Sequence, residues 1–362
     1  MKRILCLKRR CAAAVLGIIM LLTASATSCK ARADYISHSF FAMDTIIEVK
    51  LAADTAQADE IFAECVRLTE NIEDMLSAED GGSDISRFNM STQGCKVSRE
   101  VGEIFELAAL IWHKSGGAFD PTTYPATLLW RSAAEAGELP SEEELSAAAG
   151  KRGMELITYD PSSEFLSKSE PWVMLDLGGI GKGYAEAQVA EYLDGCIEYG
   201  VLSFGGNITV VGKHPSGAFT IALRDPQINS GSYGGSSLGR AGRITVVHGS
   251  VSVSGGYERY YEIADERYCH ILDPESGMPI CGELQSAAVI SDNGAVADAL
   301  STALFVLDTT VATAELYRDL SGTSLAFEAI LVYENEIYIT PGLAGRFTAE
   351  SGRDLHVMDT AV

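Results

Sequence analysis

No Cys-x-x-Cys pair occurs in this chain, and its eight cysteines are scattered along 362 residues. That spacing excludes a disulfide framework and offers no zinc-ligand pattern. Cys6, Cys11 and Cys29 fall in the first 29 residues. Cys65, Cys95, Cys196, Cys269 and Cys281 remain, an odd set with room for an optional bridge. Basic residues are also scarce, 27 against 50 acidic ones, for a net charge of −23. This imbalance argues against binding nucleic acid or anionic lipid through a basic surface. A phosphate-bearing ligand would need a local cation or a metal ion. Long apolar runs are missing too, since Cys11 to Ala26 is too short to span a bilayer comfortably and nothing later is longer. There is no internal repeat and no long linker.

The first 29 residues read as a targeting segment. Lys2, Arg3, Lys8, Arg9 and Arg10 form a basic n-region, followed by the apolar run with small residues towards its end. Ser28-Cys29 reads as a lipoprotein processing site, with Cys29 the lipidated N-terminus, although Ala26 stands where a large aliphatic residue is usual. The alternative is ordinary signal cleavage with Cys29 incidental. Either way the mature protein is expected to work outside the cytoplasm, and lipidation would tether it to a bacterial membrane face. Five basic and no acidic residues precede Cys29, which leaves 22 basic against 50 acidic in the mature part. Residues 30–362 are expected to form one large domain or two intertwined lobes.

Periodicity predicts helices over Ala56 to Leu76, Val101 to His113, Ser141 to Ala149, Tyr184 to Tyr192 and Ala295 to Phe305. Strands are predicted at Thr45 to Leu51, Trp172 to Leu177, Val201 to Phe204, Ile208 to Val211, Phe219 to Leu223, Arg243 to Val247, Tyr260 to Ala264 and Ser286 to Ile290. A hairpin is predicted from Ala326 to Tyr333 and Glu336 to Ile339, and Gly231 to Gly242 reads as a surface loop. Without strict β-α-β alternation the fold class is α+β, with mixed or antiparallel sheets flanked by helices.

Five segments could carry chemistry. Ser252 to Pro279 combines turn glycines, Tyr257, Tyr260, Tyr261 and His270, and Pro274 with Gly277 fits a tight turn bringing Asp273 near His270. His270 is either a surface histidine or a general base for a hydroxyl. Leu175 to Ala187 (LDLGGIGKGYAEA) reads as a strand, a glycine turn and a helix start; it is either an anion site with Asp176 and Lys182 or simply a tight turn. It is neither a P-loop nor the dinucleotide fingerprint. Asp298 and Thr302 lie at i and i+4, so one helical face offers a carboxylate and a hydroxyl that suit Mg²⁺. The plainer reading is that Thr302 bonds back to the Asp298 carbonyl. Ser115 to Trp130 holds Phe119 and Asp120 in a Gly- and Pro-rich loop, able to stack on a ring and accept a ring N–H, or else a buried Phe and a turn-starting Asp. Ser83 to Asn89 offers Arg87 and Asn89 as polar anchors.

Together these segments resemble the ApbE family, extracytoplasmic flavin transferases that attach FMN from FAD to a partner protein. Ala42 to Thr45, LSAEDGGSDISRFN, SGGAFDPTTYPATLLW, LDLGGIGKGYAEA, SFGGNITVVG, SVSGGYERYYEI, CHILDPESGMP and ADALSTALFVL follow the family's order from Phe40 to Leu307. The resemblance implies that FAD is held by Met43, the Ser77-Ala78-Glu79 turn, Ala118, Phe119, Asp120, Asp176, Lys182 and Leu272. It implies Mg²⁺ on the Gly179 carbonyl, Asp298 and Thr302, with His270 assisting the acceptor hydroxyl and Asp298 sharing in catalysis. It also implies transfer of FMN to a Thr or Ser of an exported FMN-binding protein, such as a redox-complex subunit, with release of AMP. Asp44 replaces the usual glycine, and Ala187 stands where an aspartate is common. Competing readings are an FAD pyrophosphatase, a non-catalytic FAD-binding lipoprotein, and a covalent flavin acceptor, for which no acceptor motif is present.

Overall fold

The computed structural model describes residues 35–52, 55–227, 239–257 and 259–360. The targeting segment with Cys29 and most of the Gly231 to Gly242 segment lie outside these residues. All described elements fall within the unit Ile36–Val362. In chain order the strands are β1 (Ile36–Ala42), β2 (Thr45–Ala52), β3 (Gly94–Lys96), β4 (Ile157–Asp160), β5 (Phe165–Lys168), β6 (Tyr199–Phe204), β7 (Asn207–Gly212) and β8 (Phe219–Arg224). They continue as β9 (Arg240–Val246), β10 (Gly249–Gly255), β11 (Tyr260–Ile263), β12 (Glu266–Cys269), β13 (Ser286–Ser291), β14 (Glu328–Val332), β15 (Glu336–Ile339), β16 (Phe347–Ala349) and β17 (Asp354–Val357). The α-helices are α1 (Thr55–Leu76), α2 (Asp84–Met90), α3 (Arg99–Lys114), α4 (Tyr124–Ala136), α5 (Glu142–Ala149), α6 (Gly178–Leu193), α7 (Gly294–Leu307) and α8 (Thr310–Leu320).

The α+β class holds. Nine strands form the main sheet in the order β1-β2-β6-β7-β10-β13-β14-β15-β17, and smaller sheets are β16-β9-β8, β3-β5-β4 and β11-β12. Neighbours pair antiparallel except β15 with β17. Strand β13 is buried along its whole length, as expected of a central strand covered on both faces. Helix α7 packs on β10 and β13, and α6 packs on α7 and α1.

Several elements depart from the sequence reading. Trp172 to Leu177 joins no strand ladder. Its backbone is held by side chains instead: Asn89 donates to the Leu175 carbonyl at 2.8 Å and accepts from its amide at 2.7 Å, and Lys168 donates to the Val173 carbonyl at 2.7 Å. A single asparagine thus takes the place of a neighbouring strand. The glycines of GGIGKG make no turn; they are the first two turns of α6, which begins six residues earlier than periodicity indicated. Residues Tyr124 to Trp130 are helical rather than loop, and Arg240 to Gly242 belong to β9. Strands β1 and β10 and helix α8 went unpredicted, because β1 is mostly exposed and β10 is built of alternating serines.

The glycines of α6 serve close packing. A Cβ on Gly183 would lie 2.1 Å from the Gly294 carbonyl oxygen, and one on Gly181 would lie 2.7 Å from Leu76 Cδ1. Backbone therefore meets backbone where α6 crosses α7. Gly183→Ala gains intrinsic helix propensity of about 1 kcal/mol but meets an immovable carbonyl. The clash should dominate, with a net loss of about 2 kcal/mol and a fall in melting temperature of about 5 °C. Gly81→Ala, with nothing within 4 Å, should leave the thermal transition where it is.

Candidate active site

A cleft of about 1060 Å³ opens beside the α6–α7 crossing. This lies at the upper end of small-molecule sites, enough for an extended dinucleotide. Its walls include Ala118, Phe119, Asp120, Asp176, Gly179, Lys182, His270, Leu272, Asp298 and Thr302. Segments up to 180 residues apart in sequence thus converge on one cavity. Met43, Ser77 and Ala78 are not on its wall. The Ser77 hydroxyl instead accepts the Glu79 and Asp80 amides at 3.3 and 3.0 Å, shaping a turn. Glu79 reaches the site through an ion pair with Arg131, which does line the cleft.

Asp298 is 4% exposed. Its Oδ2 accepts the Gly183 amide at 2.9 Å, and its Oδ1 accepts the Ser252 hydroxyl at 3.2 Å and faces Lys182 Nζ at 3.7 Å. The Thr302 hydroxyl reaches the Asp298 carbonyl only at 3.5 Å, while Ser301 bonds that carbonyl at 2.8 Å. Ser301 is therefore the firm back-bonding residue, and the Thr302 hydroxyl is loosely held. A Cβ on Gly179 would lie 4.0 Å from Thr302 Oγ1 and 3.1 Å from the Phe119 ring, so a side chain there would press on that ring.

These donors fit a hard cation. A carboxylate, a hydroxyl and a peptide carbonyl are too few to enclose an ion, and no cluster of three or more His, Cys, Asp or Glu among the described residues could do so. Such a set suits Mg²⁺, which takes its remaining ligands from phosphate and water.

His270 is half-buried at the base of the β11–β12 hairpin. Its partner is not Asp273, as the turn motif suggested, but the Arg259 carbonyl, 2.9 Å from Nδ1. Asp273 closes its own turn, accepting the Glu275 amide at 3.1 Å and the Ser276 hydroxyl at 2.6 Å. A carbonyl can only accept, so Nδ1 carries the proton and Nε2 keeps its lone pair. Burial lowers the imidazole from 6.5 to about 4, which leaves it neutral and basic at neutral pH. Asp120 accepts both the amide and the hydroxyl of Thr122, at 2.8 and 2.6 Å, and burial raises its carboxyl above the ordinary range.

Sequence reasoning missed several wall residues. Arg131 sits on a helix that the loop-like composition concealed, Arg224 lies just past a predicted strand, and Arg259 and Asn207 lay inside quoted segments without being singled out. Glu186, in the glycine segment itself, is fully buried, with Thr209 beside its carboxyl but no hydrogen bond of normal geometry to either oxygen among the described residues. Burial, with Asp298 nearby adding to it, pushes this carboxyl well above 4.5.

An α+β protein with a dinucleotide-sized cleft, a hard-cation corner and a neutral histidine base is the class that fold and site define. The chain belongs to the ApbE family, whose model matches residues 43–324. It is 30% identical over 307 residues to the FAD:protein FMN transferase of Haemophilus influenzae, covering 80% of this chain and 86% of that protein. It is 30% identical over 289 residues to the FAD:protein FMN transferase of Vibrio cholerae, covering 77% and 83%. Among solved structures, the ApbE protein of Thermotoga maritima superposes with a TM-score of 0.76 at 25% identity, covering 86% of this chain and 99% of the other. The flavin transferase ApbE of Vibrio cholerae gives 0.72 at 26%, covering 87% and 99%.

The buried Glu186 has a measurable consequence. Its raised carboxyl favours the proton in the folded state, so wild-type stability is lost as pH rises from 4.5 towards the folded value. Glu186→Gln mimics the protonated form and lacks that loss. In the presence of a chelator, the melting temperature of wild type should fall relative to Glu186→Gln between pH 4.5 and 8, and the two should converge at the acid end. Parallel curves would show that the carboxyl finds a partner in solution.

Proposed function

We propose that this protein transfers FMN from FAD to a Thr or Ser hydroxyl of an exported flavoprotein, with release of AMP. The observation that carries this reading is the convergence on one cleft of a neutral His270 and the Asp298, Thr302 and Gly179 oxygens beside Lys182.

Each residue then has a task. Phe119 and Asp120 suit a flat heterocycle, one as a stacking face and the other as an acceptor for a ring N–H. Lys182, Arg131 and Arg224 supply positive charge for the pyrophosphate in an otherwise acidic protein. Mg²⁺, held by Asp298, Thr302 and the Gly179 carbonyl, would neutralise charge that builds up on the phosphate oxygens. His270 Nε2 takes the proton of the acceptor hydroxyl as that oxygen forms a bond to the FMN phosphorus. The bond from that phosphorus to the AMP oxygen breaks, and AMP leaves with the electron pair. Gly183 and Ser252 keep the Asp298 carboxylate oriented throughout.

The same reading takes residues 1–29 as a leader and Cys29 as a lipid-bearing N-terminus. It tethers the domain to a bacterial membrane, inner or outer, facing the periplasm, where exported acceptors would meet it. No described helix is long and apolar enough to cross a membrane.

The test incubates the protein with FAD, Mg²⁺ and an exported FMN-binding domain carrying an acceptor Thr. The denatured acceptor is then weighed for added FMN while AMP is quantified. His270→Asn should lower the transfer rate by about 10²-fold or more, the usual share of a general base. Asp298→Asn should act as severely, and excess Mg²⁺ should partly restore it. AMP and free FMN without an adduct would replace transfer by hydrolysis, and FAD binding without AMP would leave a carrier.

The pH profile gives a separate check. Activity needs neutral His270, whose value is lowered to about 4. The acid limb of kcat/KM should therefore fall near pH 4 and not near 6.5.

A further inference from the structure

Arg259 joins three segments of the cleft wall. It immediately precedes β11, and His270 immediately follows β12, so the two face each other one step beyond the Tyr260↔Cys269 pair. The Arg259 carbonyl accepts from His270 Nδ1 at 2.9 Å and from the His270 amide at 3.4 Å. At its other end, the guanidinium Nη2 donates to the carbonyls of Asp44 at 3.1 Å and Met43 at 3.4 Å. Arg259, Asp44, Thr45 and His270 all line the cleft.

The turn that it grips needs outside support. Met43 and Asp44 connect β1 to β2 with φ of 52° and 58°, both in the left-handed region. A two-residue hairpin of this kind favours Asn-Gly or Asp-Gly. An aspartate tolerates the conformation, but a methionine gains nothing there. The backbone polar groups of the turn are instead held from outside. Glu73 accepts the Met43 amide at 2.7 Å, and Arg259 donates to both carbonyls.

We propose that Arg259 is a positioning residue for His270: by clamping the Met43–Asp44 turn, its side chain anchors the backbone whose carbonyl holds His270 in the Nδ1–H tautomer. This rests on the transferase reading of the site. One side chain thereby sets the distance between the hairpin turn and the base, and leaves Nε2 free to take a proton. Burial is the main cause that keeps His270 neutral; the hydrogen bond to the Arg259 carbonyl works against it, and the Arg259 and Lys182 charges add to it by a smaller amount.

The experiment uses the mature protein labelled with ¹⁵N-histidine, as wild type, Arg259→Ala and Arg259→Lys, with His270→Gln to identify the resonances of this ring. Nitrogen shifts report the tautomer, flavin fluorescence reports FAD affinity, and adduct formation on the acceptor gives kcat and KM. Wild type should show protonated Nδ1. Arg259→Ala should show a mixture of tautomers and a kcat lowered about tenfold or more, as for a misplaced catalytic group, with KM for FAD changed less. Arg259→Lys retains the charge and one donor head and should fall between them, so the series can be read even if the alanine variant folds poorly. An unchanged tautomer and kcat in Arg259→Ala, or a loss confined to FAD affinity, overturns the proposal while leaving the transferase reading intact. If wild type binds FAD but forms no adduct, that reading fails, and the tautomer comparison alone decides whether Arg259 positions the ring.

Discussion

The contact on which the cation corner depends is the crossing of α6 and α7. Two glycines, Gly183 and Gly294, let the helices approach until backbone touches backbone. Only at that separation can the Asp298 carboxylate, on one helix, accept the Gly183 amide of the other at 2.9 Å. A carboxylate so nearly excluded from water would be costly without such a donor. The same approach sets Lys182, Gly179 and Thr302 around it. The glycine-rich segment is thus a packing device that fixes a carboxylate, with Lys182 Nζ 3.7 Å from it.

Behind Asp298 the interior is unusually polar. Ser250, Ser252 and Ser254 alternate along β10, and all three are buried. Ser252 links Asn207 at 2.6 Å to Asp298 at 3.2 Å, Ser254 bonds Ser301 at 2.8 Å, and Ser250 bonds Thr209 at 2.5 Å. A network of this kind specifies side-chain orientation more than it adds stability, because each hydroxyl has few alternative partners once buried. It holds the Asp298 carboxylate in one orientation from the sheet side, while Gly183 holds it from the helix side. Glu186 adds a further buried carboxyl to this layer, and burial raises its value well above 4.5.

The sequence disclosed the main elements where apolar periodicity was strong, as in α1, α3 and α7, and the strands from β6 to β8. It concealed those whose burial is carried by other residue types. Strand β10 alternates Ser with Val but carries only two apolar residues and buries its serines, which gives a weak apolar signal, and helix α4 begins with a Pro-containing run that reads as loop. Asp298, Thr302, Gly179, Lys182 and His270 were legible because their spacing and order form recognisable segments. What could not be read was which group pairs with which. Asp273 lies closer in sequence to His270 than Arg259 does, yet the hairpin register gives His270 to the Arg259 carbonyl. Likewise Arg131 enters the cleft from a helix and brings Glu79 with it, a partnership between residues 52 positions apart.

Charge explains why the site combines opposite arrangements. A net charge of −23 disfavours an incoming dinucleotide at long range, but such repulsion is screened beyond about 10 Å at 0.1 M salt. Within that distance the local groups decide, and Arg131, Lys182, Arg224 and Arg259 all line one cleft. A protonated His270 would add to their attraction for phosphate but would have no lone pair for a hydroxyl proton. On the proposed reading, burial resolves the conflict by keeping the imidazole neutral to about pH 4, so attraction is left to groups that never need to lose a proton and Nε2 keeps its lone pair. The carbonyl on Nδ1 completes the division of labour, since it decides which of the two ring nitrogens is left to act.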